Sequence, residues 1–355
     1  MLQAIDDAAR RDWMGVLARA PLAMLEQWAR AAQLAGSLPA RVWLRAPETG
    51  LVMLRARAGG GVRFNLGEMT VTRCALRIDS GEVGIAYVPG RSARKAELAA
   101  LADALLQRPD RREAVRARLI EPVRAAARRG RARGAQDPGD ARGVLYRRPG
   151  AGRARVSAAL MDRIVAGLGD PVFDAQRVFR AALRAMSRPG TVVAVPAQIG
   201  ALPGVHPAAG ALLLALLGPE TRLWLSPSFS DGVVAANLRF HTGCAAVADC
   251  GEADFALVGS PAELPPLAAF PAGSDEHPER SASIVLQVAA LSDRGGWRLS
   301  GPGVAGELRL GVAALDAGFV AQWADNHRRF PRGVDLYLAC GERLCALART
   351  TRIEA

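Results

Sequence analysis

The sequence predicts two domains of different class: an N-terminal α+β domain of helices and antiparallel sheet over residues 1–135, and a C-terminal three-layer α/β domain with a mixed sheet over 156–355. Three observations carry this. A chain of 355 residues, half of them hydrophobic, has the length and apolar content for two cores. Residues 136–155 are mostly Gly, Arg, Pro and Asp with no apolar face to repay ordering, and read as a flexible linker. Before that stretch short alternating runs cluster between helices; after it strand and helix alternate.

In the first domain Asp7–Arg19 and Pro21–Gln33 place Trp13, Leu17, Leu22, Leu25 and Trp28 at helical spacing. The runs Arg41–Arg45, Leu51–Leu54 and Met69–Ile78 read as strands. Gly59–Gly61 and Asp79–Gly81 supply turns, so Leu51 to Val88 forms an antiparallel meander. Ser92 caps a helix to Gln107, and Arg111–Arg129 is a second helix before periodicity fades from Arg128.

In the second domain the order is helix Asp174–Ser187, strand Thr191–Val195, helix Pro207–Leu217, strand Thr221–Leu225, helix Ser230–Arg239 and strand Asp254–Val258. A buried strand Ser283–Ala289, a helix Asp316–Arg328 and a hairpin of Val334–Ala339 with Arg343–Thr350 follow. The closing hairpin makes an otherwise parallel sheet mixed.

Charge is divided unevenly. Residues 1–155 hold 29 Lys and Arg against 15 Asp and Glu, and the remainder 17 against 19. Lys95 is the only lysine, an arginine bias that reads as genomic composition. The opening MLQAIDDAARRDW lacks a leader's basic-then-apolar pattern, and the longest apolar stretch, Ala208–Leu217, is half a membrane span. A cytoplasmic chain that does not enter membranes is expected. The five cysteines read as reduced, buried structural thiols.

Each catalytic motif fails on its mechanics. Gly301–Gly306 matches the dinucleotide pattern, but Glu307–Leu310 alternates like a strand where a helix must hold the pyrophosphate; a glycine hairpin is expected instead. Histidines 206, 241, 277 and 327 are scattered, and the cysteine spacings are not those of metal ligands, so no metal site is expected. Residues 156–355 contain no lysine, which excludes an internal pyridoxal phosphate Schiff base there. The candidate contacts for a partner or a phosphate are Glu48 and Thr49 in a Pro-Glu-Thr-Gly turn, Arg63 and Arg73 flanking the next hairpin, and Arg91 after Pro89-Gly90. In the second domain they are Asn237, Arg239 and His241 at a helix end. No catalytic residue is assigned. Two other readings stay open, a stand-alone small-molecule transferase and a basic nucleic-acid-binding protein. The second lacks a stacking platform, because the basic half holds only Trp13, Trp28, Trp43, Phe64, Tyr87 and Tyr146, most of them patterned for burial.

Arg11–Ala18, Arg45–Leu51, Asn65–Cys74 and Tyr87–Arg91 with Ala96–Leu98 resemble the PhnG family. Asp174–Arg180, Ala185–Gly190, Leu238–Thr242, Phe330–Asp335, Cys340–Arg343 and Arg349–Thr351 resemble PhnH. Both are subunit families of the bacterial carbon–phosphorus lyase complex, so the chain looks like their natural fusion. The resemblance implies a supporting role in displacing adenine from ATP with a phosphonate, which gives a ribose 1-phosphonate 5-triphosphate. It implies PhnI-like and PhnJ-like partners and PhnL- and PhnK-like ATP-binding-cassette proteins, in a hetero-oligomer with two copies of each subunit. It implies no cofactor on this chain, since ATP is a substrate of the complex and the iron–sulfur cluster and S-adenosylmethionine belong to a partner. It further implies a C-terminal fold similar to pyridoxal phosphate transferases without the cofactor.

Overall fold

The computed structural model describes residues 7–34, 38–57, 63–134, 158–304, 306 and 308–354. Contacts divide the chain into two units, Met1–Asp162 and Arg163–Ala355. The expected linker 136–155 and the Gly59–Gly61 turn lie outside the described residues.

The first unit opens with α1 (Asp7–Arg19) and α2 (Leu22–Leu34). An antiparallel sheet follows in the order β1 (Arg41–Arg57), β2 (Arg63–Ile78), β3 (Val83–Pro89). Then come α3 (Ala93–Gln107), α4 (Pro109–Val115), a π-helical turn Arg116–Ile120, α5 (Glu121–Gly134) and the short α6 (Ala158–Met161). Ser92 caps α3 by accepting from the Lys95 amide at 3.2 Å. One face of the sheet, with Cys74, Leu76, Ile78, Ala86 and Val88, packs on α1–α3 through Trp13, Leu17, Leu25, Trp28 and Leu101. The approach is close. A Cβ on Gly84 would stand 1.9 Å from the Ala100 carbonyl oxygen, so only glycine fits where β3 crosses α3.

Three expectations for this unit are corrected. Glu48 and Thr49 do not sit in a turn: β1 runs through Pro47, and shifts in register between Trp43 and Arg45 and between Arg45 and Glu48 absorb it as bulges. A bulge releases the ladder position that proline cannot fill with an N–H. Arg63 and Arg73 therefore do not flank a hairpin; both lie on β2, opposite Arg57 and Glu48. The helix expected over Arg111–Arg129 starts at Pro109, widens at the π turn and continues to Gly134. Alanine and arginine favour helix without an apolar face, which periodicity alone overlooks.

The second unit is a three-layer arrangement around a seven-stranded sheet ordered β4-β12-β11-β8-β7-β5-β6. Its elements are α7 (Phe173–Ser187), β4 (Val193–Ala194), α8 (Pro207–Leu216), β5 (Arg222–Leu225), α9 (Val233–Thr242), β6 (Ala245–Ala246), β7 (Phe255–Val258), β8 (Ser283–Gln287), β9 (Leu291–Ser300), β10 (Leu308–Val312), α10 (Ala317–Arg328), β11 (Asp335–Cys340), β12 (Arg343–Leu347) and β13 (Arg352–Glu354). Strands β11, β8, β7, β5 and β6 are parallel; β12 runs against them, and β4, antiparallel to β12 at the edge, runs with them. Alternate residues face opposite layers. Leu257, Val285 and Tyr337 meet α7–α9, while Val258, Ile284, Leu286 and Leu338 meet α10 and a small sheet β10-β9-β13. Gly301–Gly306 joins β9 to β10, so the glycine hairpin holds and no helix follows it.

Two further bounds are corrected. The strand expected at Thr191–Val195 is only Val193–Ala194, an edge paired through Leu344 and Arg343. The helix expected from Ser230 begins at Val233 after Gly232 and ends at Gly243, whose φ of 80° lets the chain turn off the helix.

Candidate functional site

Two candidates of the first unit, Glu48 and Arg73, meet Arg45 on the sheet face opposite Cys74 and Leu76. The bulges bring Arg45 opposite Ala75 and Glu48 opposite Arg73, onto that one face. Glu48 accepts from Arg73 Nε at 2.5 Å and lies 3.5 Å from Arg45 Nε. Arg45 is 8% exposed, against 43% for the Arg73 side chain. Burial first, and the Arg73 charge second, hold the Arg45 guanidinium below its ordinary pKa, while Tyr87 and Glu48 act against them. Two guanidinium groups thus share one carboxylate, and the excess positive charge suits a carboxylate or phosphoryl oxygen from outside.

Thr49 lies opposite Thr72, on the other face of the sheet, where the two meet the start of α3. Thr72 Oγ1 donates to the Gly90 carbonyl at 2.6 Å and accepts from the Ser92 amide at 3.0 Å. A hydroxyl has one proton, so Thr49 is the donor in the 3.1 Å Thr49–Thr72 contact. The pair ties β1 to the start of α3. Thr49, Gly50, Leu51, Thr70 and Arg91 line a shallow open depression of about 290 Å³. Arg63 lies on β2, but its side chain is outside the described ones.

The second-unit candidates work differently. Asn237 is 1% exposed; its Oδ1 accepts from the Val165 amide at 2.8 Å and its Nδ2 donates to the Arg163 and Val233 carbonyls at 3.1 and 2.9 Å. His241 Nε2 is 2.9 Å from the Val165 carbonyl. Together they clamp Arg163–Gly167 onto α9, and a Cβ at Gly167 would come within 2.8 Å of the ring. Arg239, partly exposed in the last turn of α9, is not brought into that clamp by any of these bonds.

One polar cluster escapes the sequence reading. The chain leaves β5 for β6 on one side and returns to β7 on the other, so the carboxyl ends of β5 and β7 flank the position where open α/β sheets form a crevice. There Glu263 accepts from Ser226 Oγ at 2.5 Å and Ser228 Oγ at 2.8 Å. The Ser226 bond, foremost, holds the carboxyl below its ordinary range against burial. The Ser-Pro-Ser and Gly-Ser-Pro turns after two apolar strands are the only local signal of it.

The thiols divide. Cys74, Cys244 and Cys345 are buried, whereas Cys250 and Cys340 are partly exposed, which corrects the expectation that all five are buried. Burial pushes Cys74 and Cys345 up to about 12. Since the thiolate is the reactive form and burial raises the Cys250 thiol as well, the partly exposed Cys340 is expected to react first with a disulfide reagent at pH 8, Cys250 more slowly and the three buried thiols last. Five fast thiols would contradict the buried assignments.

Comparison with known proteins places both halves. Residues 8–142 match the family model described as phosphonate metabolism protein PhnG, and 166–354 match bacterial phosphonate metabolism protein PhnH. The second half is 37% identical over 193 residues to subunit PhnH of alpha-D-ribose 1-methylphosphonate 5-triphosphate synthase of Rhizobium meliloti (strain 1021), covering 52% of this chain and 92% of that protein. The first half is 44% identical over 120 residues to subunit PhnG of the same organism's synthase, covering 33% of this chain and 74% of that protein. The chain therefore belongs to both the PhnG and the PhnH families, joined in that order in a single polypeptide.

Proposed function

We propose that this chain serves as two subunits in one within an alpha-D-ribose 1-methylphosphonate 5-triphosphate synthase of phosphonate catabolism, assisting transfer of the ribose triphosphate of ATP to a phosphonate with release of adenine. The observation that carries this reading is the tandem match to both subunit families, in order and over nearly the whole chain. The chain acts as scaffold and accessory in the cytoplasm, with PhnI-like and PhnJ-like subunits and PhnL- or PhnK-like ATP-binding-cassette proteins as partners and two copies of each subunit. It brings no cofactor of its own; ATP enters as substrate, and the iron–sulfur cluster and S-adenosylmethionine sit on a partner. The C-terminal unit is a pyridoxal phosphate transferase-like fold that has lost the cofactor, in keeping with the absence of lysine from 156–355. Domain limits of 1–135 and 156–355 with a linker between them fit this division. No helix among the described residues is long and apolar enough to cross a membrane.

On this reading the purified chain alone releases no adenine from ATP and methylphosphonate. Adenine release by the chain alone at the rate of the assembled set would overturn it.

The Arg45–Glu48–Arg73 face then serves as a docking surface for the nucleosidase-like PhnI subunit. Arg73→Ala is expected to speed dissociation from that partner, by an energy on the order of 2 kcal/mol where the pair becomes desolvated. Neutralising Arg128, Arg129, Arg131 and Arg133 instead slows association, mainly at low salt, because remote charge steers encounter without entering the contact. Unchanged dissociation of Arg73→Ala in surface-binding kinetics would remove the sheet from the interface.

A further inference from the structure

Among the described residues seven large apolar side chains are exposed, and four of them stand together at α7: Val172 at 69%, Phe173 at 63%, Phe179 at 50% and Leu183 at 55%. Helical spacing sets Val172, Phe179 and Leu183 in one stripe. The opposite face, with Asp174, Val178, Ala182 and Ala185, is buried in the unit's own core. Arg177, Arg180, Arg184 and Arg188 are also exposed. At 100° per residue the three within the helix, Arg177, Arg180 and Arg184, fall on the same flank of the apolar stripe, and Arg188 follows at its end; the other flank runs into the core. Of the four, Arg177 is paired with a nearby acid, and the charge of the flank rests on Arg180, Arg184 and Arg188. Asp170 and Asp174 accept from the backbone amides of Phe173 and Asp170, and Asp174 also binds Arg177.

We infer that this face of α7 is a subunit interface, occupied by a different protein that offers an apolar groove with one wall of Asp and Glu. The inference rests on the reading that the chain works inside a multisubunit complex, and adds to it a second surface, separate in sequence and unit from the Arg73 sheet. The charge pattern selects the occupant. A second copy of the chain packed antiparallel about a two-fold axis would set arginines against arginines. Residues 136–155 of the chain itself carry five arginines against two aspartates and are repelled too. An anionic lipid surface would accept the arginines, but an interfacial helix exposes a polar face opposite its apolar stripe, and here the face opposite the stripe, with Val178, Ala182 and Ala185, is packed into the protein. An acidic-walled groove satisfies the stripe and its one charged flank together.

The test places the photo-crosslinker benzoylphenylalanine at position 179 of the full chain, expressed in the native host growing on methylphosphonate. The expected product is a crosslink to an Asp- and Glu-rich peptide of another synthase subunit. In parallel, Arg180→Glu with Arg184→Glu keeps the melting profile of the chain and raises its dissociation from the purified complex about tenfold. A crosslink to another copy of the chain would overturn the inference in favour of self-association. So would flotation of the wild-type chain with phosphatidylglycerol vesicles, lost in the double variant while complex dissociation stays unchanged. An assembled complex with no crosslink from position 179 sinks this inference alone. A wild-type chain that joins no synthase subunit sinks the functional reading with it.

Discussion

Asp103→Ala is expected to destabilise the N-terminal unit by about 3–5 kcal/mol, the cost of removing one partner from a buried ion pair. Asp103 sits in α3 with no exposed surface. Its carboxylate accepts from Arg10 Nη2 at 2.7 Å and Nε at 3.2 Å, from Trp13 Nε1 at 2.9 Å and from the Ile85 amide at 3.0 Å. One side chain therefore joins α1, α3 and β3. Its loss leaves an indole N–H and a backbone N–H buried without an acceptor, and each such orphan costs about 1–3 kcal/mol. Asp103→Asn keeps the shape and part of the bonding, so it falls between wild type and alanine. Urea unfolding followed by tryptophan fluorescence reads the effect, because Trp13 itself reports on the network. A loss below about 1 kcal/mol would mean that water or a shifted Arg10 replaces the carboxylate.

Arg349→Ala is expected to have a comparable effect on the C-terminal unit, again about 3–5 kcal/mol. The Arg349 side chain is 13% exposed and pairs with Asp335, which is 21% exposed. The guanidinium also donates to the Pro278 carbonyl at 2.9 Å, the Pro331 carbonyl at 3.2 Å and Ser281 Oγ at 2.5 Å. It thereby fastens the strand ends of β11 and β12 to two loops with a planar fork. Arg349→Lys keeps the charge but cannot reach four acceptors at once, so it recovers only part of the loss. Full recovery by lysine in the same unfolding experiment would show that charge alone matters.

These two networks bear on what the sequence reveals. Phe330–Asp335 and Arg349–Thr351 attract notice as separate family-like segments; the structure joins them through Asp335 and Arg349. Likewise Asn237 and His241 fix the entry to the second unit, so the Leu238–Thr242 segment marks scaffold at least as much as surface. Helices α3 and α10 are legible because a capping side chain, Ser92 or Asp316, opens each. The sheet residues Glu48 and Arg73 are legible as polar residues in a strand-rich stretch, but not as a pair. Their pairing depends on two bulges, which leave no mark in local alternation beyond Pro47. The Ser226–Ser228–Glu263 cluster is illegible for a related reason, since Glu263 is 35 or more residues from the two serines and meets them only through the order of the strands. β4 is overextended from sequence because an edge strand's length is set by its single neighbour, not by its own propensity.

The central claim, that one polypeptide supplies what two subunits supply elsewhere, is tested most directly by reconstitution. The host's remaining synthase subunits are purified without this chain, and adenine release from ATP and methylphosphonate is measured before and after the intact chain is added. The account predicts release only after addition, with the chain recovered in the assembled complex as a single uncleaved polypeptide. Equal release with and without the chain would contradict it.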